Sequence, residues 1–184
     1  MGRVPDRLLP QDSLVLVVDY QDKLLPAIHE AEACVAAARK LISAARVLDV
    51  PMLITEQYPA GLGRTCAALL EALAGVPVVE KTLFSACVPE VLDRLTKWAR
   101  PSIIVIGIEA HVCVQQSVLD LLRLGYTVHL CADATGSRHP LDRDLAIARM
   151  RQAGAIVTSV ESAIFELLGQ AGTDPFKSVL KIVK

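Results

Sequence analysis

The sequence predicts an α/β fold, a three-layer α/β/α sandwich built on a parallel sheet. Two patterns carry this expectation. Short runs rich in Val, Ile and Leu recur six times, and stretches with helical spacing alternate with them. The runs are continuously apolar rather than alternating. Each strand is therefore covered on both faces, as right-handed βαβ crossovers require.

The elements follow in order. Residues 14–18 read Leu-Val-Leu-Val-Val, a buried strand. Residues 33–48 carry apolar side chains at 35, 38, 41, 42, 45 and 48, a helical stripe. A second strand spans 51–54, and 55–64, with two glycines and a proline, is a loop. A short helix over 66–73 leads to strand three at 76–79, and a longer one over 88–98 leads to strand four at 103–108. A helix begins just after Cys113 and stops at Gly125, a C′ position. Strand five is 127–131, the next helix 141–152 ends at Gly154, strand six is 155–158, and a helix follows over 162–168. Residues 175–183 are compatible with a short terminal helix.

Length and composition narrow the function. The 184 residues are read as one domain, 1–184. The chain is 53% hydrophobic but only 4% aromatic, so its core must be aliphatic. With 19 basic and 20 acidic residues and no basic tract, nucleic-acid binding has no footprint. Apolar runs stop far short of a membrane span. The N-terminal stretch 1–11 is polar and lacks the apolar centre of a secretory signal. Five cysteines, an odd number with no Cys-x-x-Cys pair, suit reduced thiols in the cytoplasm. Metal-type Cys/His spacing is missing, and no metal or cofactor is expected.

In such folds chemistry collects beyond the carboxyl ends of the strands, where strand order reverses. Strand one ends in Asp19, strand three in Glu80-Lys81, and strand four leads through Glu109-Ala110-His111-Val112 to Cys113. A thiol at the mouth of a helix meets a positive dipole end, which lowers its pKa. After strand one the chain reads Asp-Tyr-Gln-Asp-Lys, not the glycine-rich turn of a dinucleotide site. Cys34, Cys66, Cys87 and Cys131 are expected in the core, as free cysteines usually are. His29, His129 and His139 are expected at the surface or at strand ends, and Asp133 with Arg138 in a turn after strand five.

Five segments at these strand ends resemble the isochorismatase-like (cysteine hydrolase) superfamily, which includes nicotinamidases and N-carbamoylsarcosine amidases. They are Val18-Asp19-Tyr20-Gln21, Thr55-Glu56-Gln57-Tyr58-Pro59, Lys81-Thr82-Leu83-Phe84-Ser85-Ala86, Gly107-Ile108-Glu109-Ala110-His111-Val112-Cys113-Val114 and Asp133-Ala134-Thr135-Gly136-Ser137-Arg138. The similarity is greatest to the isochorismatase-domain-containing group and covers residues 12–170.

The resemblance implies a six-stranded sheet in the order 3-2-1-4-5-6, which sets strands one and four side by side. It implies a triad of Asp19 as general base and acid, Lys81 as charge stabiliser and Cys113 as nucleophile. It further implies a cis peptide between Ile108 and Glu109, turning the backbone N–H groups of Glu109 and Cys113 into an oxyanion hole. Tyr58, Phe84 and His111 are candidate pocket-lining residues. Glu56-Gln57-Tyr58 stands where nicotinamidases carry an Asp-x-His metal motif, and Glu109 stands where amidases commonly carry threonine. The expected activity is hydrolysis of a C–N bond in a small amide or ureido compound, by a homo-oligomer. Two other readings stay open: a non-catalytic binding or scaffold protein, and a thiol redox sensor using Cys113.

Overall fold

A computed structural model describes residues 7–184, so the first six residues of the polar stretch 1–11 lie outside the described residues. Six strands form one all-parallel sheet: β1 (Ser13–Val18), β2 (Met52–Gln57), β3 (Val78–Lys81), β4 (Ser102–Ile108), β5 (Thr127–Gly136) and β6 (Ile156–Thr158). Their order is β3-β2-β1-β4-β5-β6, as expected from the sequence. The helices are α1 (Ala31–Val47), α2 (Pro59–Leu62), α3 (Ala67–Leu70), α4 (Pro89–Trp98), α5 (Gln115–Arg123), α6 (Pro140–Gln152), α7 (Val160–Leu168) and α8 (Asp174–Val183).

The period-2 geometry of strands divides the core in two. Val15 and Val17 of β1, with Ile104 and Ile106 of β4, pack against α1, α7 and α8. Leu14, Leu16 and Val18, with Ile103 and Val105, pack against α4, α5 and α6. All six β1 residues and all seven β4 residues are buried, which is why both strands read as unbroken apolar runs.

Where β1 meets β4, Val18 pairs with Gly107. A Cβ on Gly107 would lie 2.5 Å from both Cβ and the carbonyl oxygen of Val18. Only glycine permits this approach, and it brings the ends of the two central strands together.

Three elements differ from the sequence expectation. β2 runs on to Gln57, through residues expected in a loop, because Thr55 pairs with Val18, and Glu56 and Gln57 pair with Glu80 and Lys81. β3 begins at Val78 rather than residue 76; the preceding Pro77 has no N–H for a ladder, though its carbonyl accepts from Ile54. β5 extends past Cys131 to Gly136 through a register shift opposite Val105–Gly107.

Candidate active site

Asp19 follows the last residue of β1, Lys81 ends β3, and Cys113 lies in the turn after β4. Because the strands are parallel, all three lie at the carboxyl end of the sheet. Asp19 is fully buried and takes a left-handed backbone conformation, φ 55°. Asp tolerates this better than most residues, because its short polar side chain bonds locally.

The Lys81 Nζ donates to Asp19 Oδ2 at 2.7 Å and to Gln57 Oε1 at 2.7 Å. It also reaches the carbonyls of Leu83 at 3.3 Å and Phe84 at 3.1 Å. An ammonium has three protons, and here four oxygens surround it. The other oxygen of Asp19, Oδ1, accepts from Thr55 Oγ1 at 2.7 Å. Both charged side chains are fully removed from water. A buried ion pair persists only when its remaining hydrogen-bonding capacity is filled, and Thr55, Gln57 and the 83–84 carbonyls fill it.

Gln57 is itself fixed. Its Nε2 donates to Thr82 O at 2.8 Å, and its backbone N–H donates to Gln21 Oε1 at 2.7 Å. Gln21 Nε2 in turn donates to the carbonyls of Gln57 and Gly63. Thr55 and Gln57 therefore hold the pair, yet sequence reasoning had placed them in a loop. The signal available was their position one strand over from Asp19 and Lys81.

Cys113 lies close enough to the pair for the charges of both Asp19 and Lys81 to act on its thiol. It is 5% exposed. Its surroundings differ from the helix mouth expected from the sequence. Residues Ala110–Val114 form a wide π-type turn, and the α-helix starts only at Gln115. Burial pushes the Cys113 thiol up to about 12, the negative charge of Asp19 adds to this, and the positive charge of Lys81 only partly offsets it. The expected low thiol pKa is thus corrected.

The other thiols are raised by burial as well, Cys34 and Cys87 to about 11. Cys34, Cys66 and Cys131 are buried, while Cys87 is half-buried. A thiol with a higher pKa in the folded chain stabilises the fold fully below its ordinary value of 9.0. That stabilisation is lost as pH rises toward about 11 for Cys34 and about 12 for Cys113. The urea midpoint is therefore expected to fall steadily between about pH 8 and about pH 10.5. A midpoint that stays flat or rises over that range contradicts the burial of these thiols.

The remaining sequence-singled residues fall around this centre. The Ile108–Glu109 peptide bond is cis. The Glu109 carboxylate pairs with Arg138 Nε at 2.8 Å. Arg138 therefore joins strand-four and strand-five ends instead of pairing with Asp133, whose carboxylate accepts the Val160 N–H at the start of α7. His111 Nδ1 lies 3.0 Å from Ser137 Oγ. Tyr58 donates its backbone N–H to Lys81 O at 2.8 Å, and its ring is 55% exposed; that of Phe84 is 53% exposed. His129, expected at the surface or a strand end, is buried within β5.

Glu56 occupies the place of the nicotinamidase metal motif. Its Oε1 accepts from Thr65 N and Oγ1, and its Oε2 from Arg64. Burial acts to raise its pKa, but these donors hold it below the usual value. The carboxylate is thus committed to the protein. A groove of about 620 Å³, lined by α1, Ala68 and α8, contains none of Asp19, Lys81 and Cys113.

Comparison with known proteins agrees with this geometry. The isochorismatase domain model matches residues 13–162. The mouse isochorismatase domain-containing protein 2A is 41% identical over 97% of this chain and 85% of its own length. Among solved structures, the MAR1 ribonuclease from Caenorhabditis elegans superposes with a TM-score of 0.93 at 43% identity, covering 97% of this chain and 92% of that one. YcaC from Pseudomonas aeruginosa, solved with covalent acrylamide, gives a TM-score of 0.91 at 26% identity, covering 98% and 93%. With its fold, its strand-end residues and these relatives in agreement, the chain belongs to the isochorismatase family.

Proposed function

We propose that the protein is a cysteine hydrolase that cleaves a C–N bond of a small amide or ureido compound. The observation that carries this reading is one buried thiol lying within the influence of a carboxylate and an ammonium that are paired with each other and held by four further protein groups. Asp19 takes the proton from Cys113 Sγ as the sulfur attacks the substrate carbonyl carbon. The carbonyl π electrons move to oxygen, and the backbone N–H groups of Glu109 and Cys113 receive that oxyanion. The tetrahedral adduct collapses, the C–N bond breaks, and Asp19 returns the proton to the leaving nitrogen. Water, deprotonated by Asp19, then attacks the thioester carbon and releases the sulfur, which regains its proton. Lys81 keeps Asp19 oriented and stabilises negative charge on sulfur throughout.

Tyr58 and Phe84, with His111, form the wall of the substrate cleft in this reading, supported by the backbone contacts of Tyr58 and Phe84 to Lys81. The covalent acrylamide in the Pseudomonas relative, an electrophile that nucleophiles add to, supports a nucleophilic side chain in this fold. The redox-sensor reading is separated by experiment: it calls for a stable sulfenate at Cys113 after mild peroxide. Self-assembly is supported by Leu141 and Leu145, one turn apart on α6 and 68% and 60% exposed. Light scattering is expected to give a mass above that of one 19.8 kDa chain. Five free thiols support residence in a reducing compartment, the cytoplasm.

The test is a panel of small primary amides and ureido compounds with ammonia release as the readout. Release that the wild-type protein gives and Asp19→Asn does not supports the reading. Release from no compound, or equal release from Asp19→Asn, overturns it.

A further inference from the structure

Lys81 depends for its position on a loop that has no catalytic group of its own. Residues 82–87 leave β3 and supply two of the four oxygens around the Lys81 ammonium, the carbonyls of Leu83 and Phe84. The side chains of Leu83 and Phe84 are exposed, so packing does little to hold these carbonyls in place. The loop is tied down immediately afterwards. The Ala86 N–H donates to Ser117 Oγ at 2.7 Å, and Ser85 Oγ donates to Asp120 Oδ2 at 2.7 Å. Ser117 and Asp120 lie three residues apart on α5, one turn of the same face.

Ser117 has a second bond that reaches the other side of the site. Its hydroxyl donates to the carbonyl oxygen of Cys113 at 2.6 Å. A hydroxyl has one proton to give and lone pairs to accept, and here a single buried atom does both. It accepts from the loop that orients Lys81 and donates to the residue that carries the sulfur. The Cys113 turn and the Lys81 loop therefore meet at one oxygen atom, and the side chain concerned is fully buried.

We infer that Ser117 is a positioning residue, a staple that fixes the Lys81 ammonium relative to the Cys113 sulfur by joining the 82–87 loop to the Cys113 turn. The inference rests on the hydrolase reading above. Ser117 touches no reacting atom; it acts through Leu83, Phe84 and the Cys113 backbone. Asp120 and Ser85 form the outer, more exposed tie of the same staple.

Cys87 supplies a reporter that separates positioning from general loosening. Its N–H donates to Ser85 Oγ at 3.2 Å, and its thiol lies 3.8 Å from the Ser117 carbonyl oxygen. Opening the staple releases Cys87 with the loop while it removes Lys81 from Cys113. The two thiols must then respond in opposite directions. A protein that is merely loosened exposes both thiols, and both react faster.

The experiment is iodoacetamide labelling of the full chain, resolved by peptide mass spectrometry, for wild type, Lys81→Met, Ser117→Ala and Ser85→Ala. In Ser117→Ala, Cys113 is expected to label about tenfold to a hundredfold more slowly, the cost of a small misplacement. Cys87 is expected to label faster in the same sample. Ser85→Ala, which alters a half-buried residue, is expected to show the same opposed pair of shifts to a smaller extent, and it decides the matter if Ser117→Ala does not fold. Rates of Cys113 and Cys87 that rise together, or that stay at wild-type values, overturn the staple. If Lys81→Met leaves wild-type labelling of Cys113 unchanged, the hydrolase reading fails and the staple falls with it. If Lys81→Met slows Cys113 and the serine variants do not, the staple alone fails.

Discussion

Cys113→Ser is expected to lower kcat/KM for any amide the protein hydrolyses by at least about ten-thousandfold, the scale on which removal of a nucleophile is felt. The reason is chemical rather than structural. Sulfur and oxygen differ little in size, and the site already offers a hydroxyl an acceptor in Asp19 and a donor in Lys81. The fold should therefore survive. With the same carboxylate as base, a serine hydroxyl is both less acidic and less nucleophilic than the thiol it replaces, so attack on an unactivated amide is far slower. Urea denaturation beside steady-state kinetics checks both halves of the expectation. A serine variant with the wild-type urea midpoint and wild-type activity would place the chemistry elsewhere.

The buried pair gives the second large effect, and here stability and activity separate. Asp19→Asn leaves the Lys81 ammonium buried among neutral oxygens; Lys81→Met leaves the Asp19 carboxylate buried with the Thr55 hydroxyl and no cation. An unpaired buried charge destabilises a fold by about 3–5 kcal/mol, so each single variant should lose that much. The double variant Asp19→Asn/Lys81→Met has no buried charge to strand. It should regain much of the lost stability, because replacing a whole buried pair is commonly close to neutral. It should regain no activity, since the proton acceptor is still missing. The comparison is a double-mutant cycle in urea with ammonia release measured on each protein. Additive losses in the double variant would mean that the two charges do not depend on each other.

How much of this was visible in the sequence depends on which force places each residue. β1 and β4 were legible because a strand covered on both faces must be apolar throughout, and 14–18 and 103–108 are. Asp19, Lys81 and Cys113 stand at or a few residues past strand ends, where such folds collect chemistry, and the family resemblance is what singles them out. The polar end of β2 was not legible. Thr55, Glu56 and Gln57 look like loop residues, and only the partners that satisfy them in three dimensions make them buried strand. The same holds for Ser117, one more serine on a helix until Ala86 and Cys113 are brought to it. The Arg138–Glu109 pair was not legible because local spacing sets Arg138 beside Asp133, while the sheet brings the ends of β4 and β5 together. The thiol pKa was misjudged because a helix end was weighed without the burial that outweighs it.

The central claim is that Asp19 and Lys81 make Cys113 a nucleophile, and competition among the five thiols for limiting iodoacetamide tests it most directly. Accessibility alone favours Cys87, the one thiol that is not fully buried. Ordinary thiols also gain about tenfold in rate per pH unit below their pKa, as the thiolate fraction grows. The account predicts that Cys113 labels first despite its burial, with a rate that changes little between about pH 7 and about pH 9 because Asp19 removes the proton during attack. Labelling that follows exposure, with Cys87 ahead and Cys113 climbing with pH like its neighbours, would contradict it.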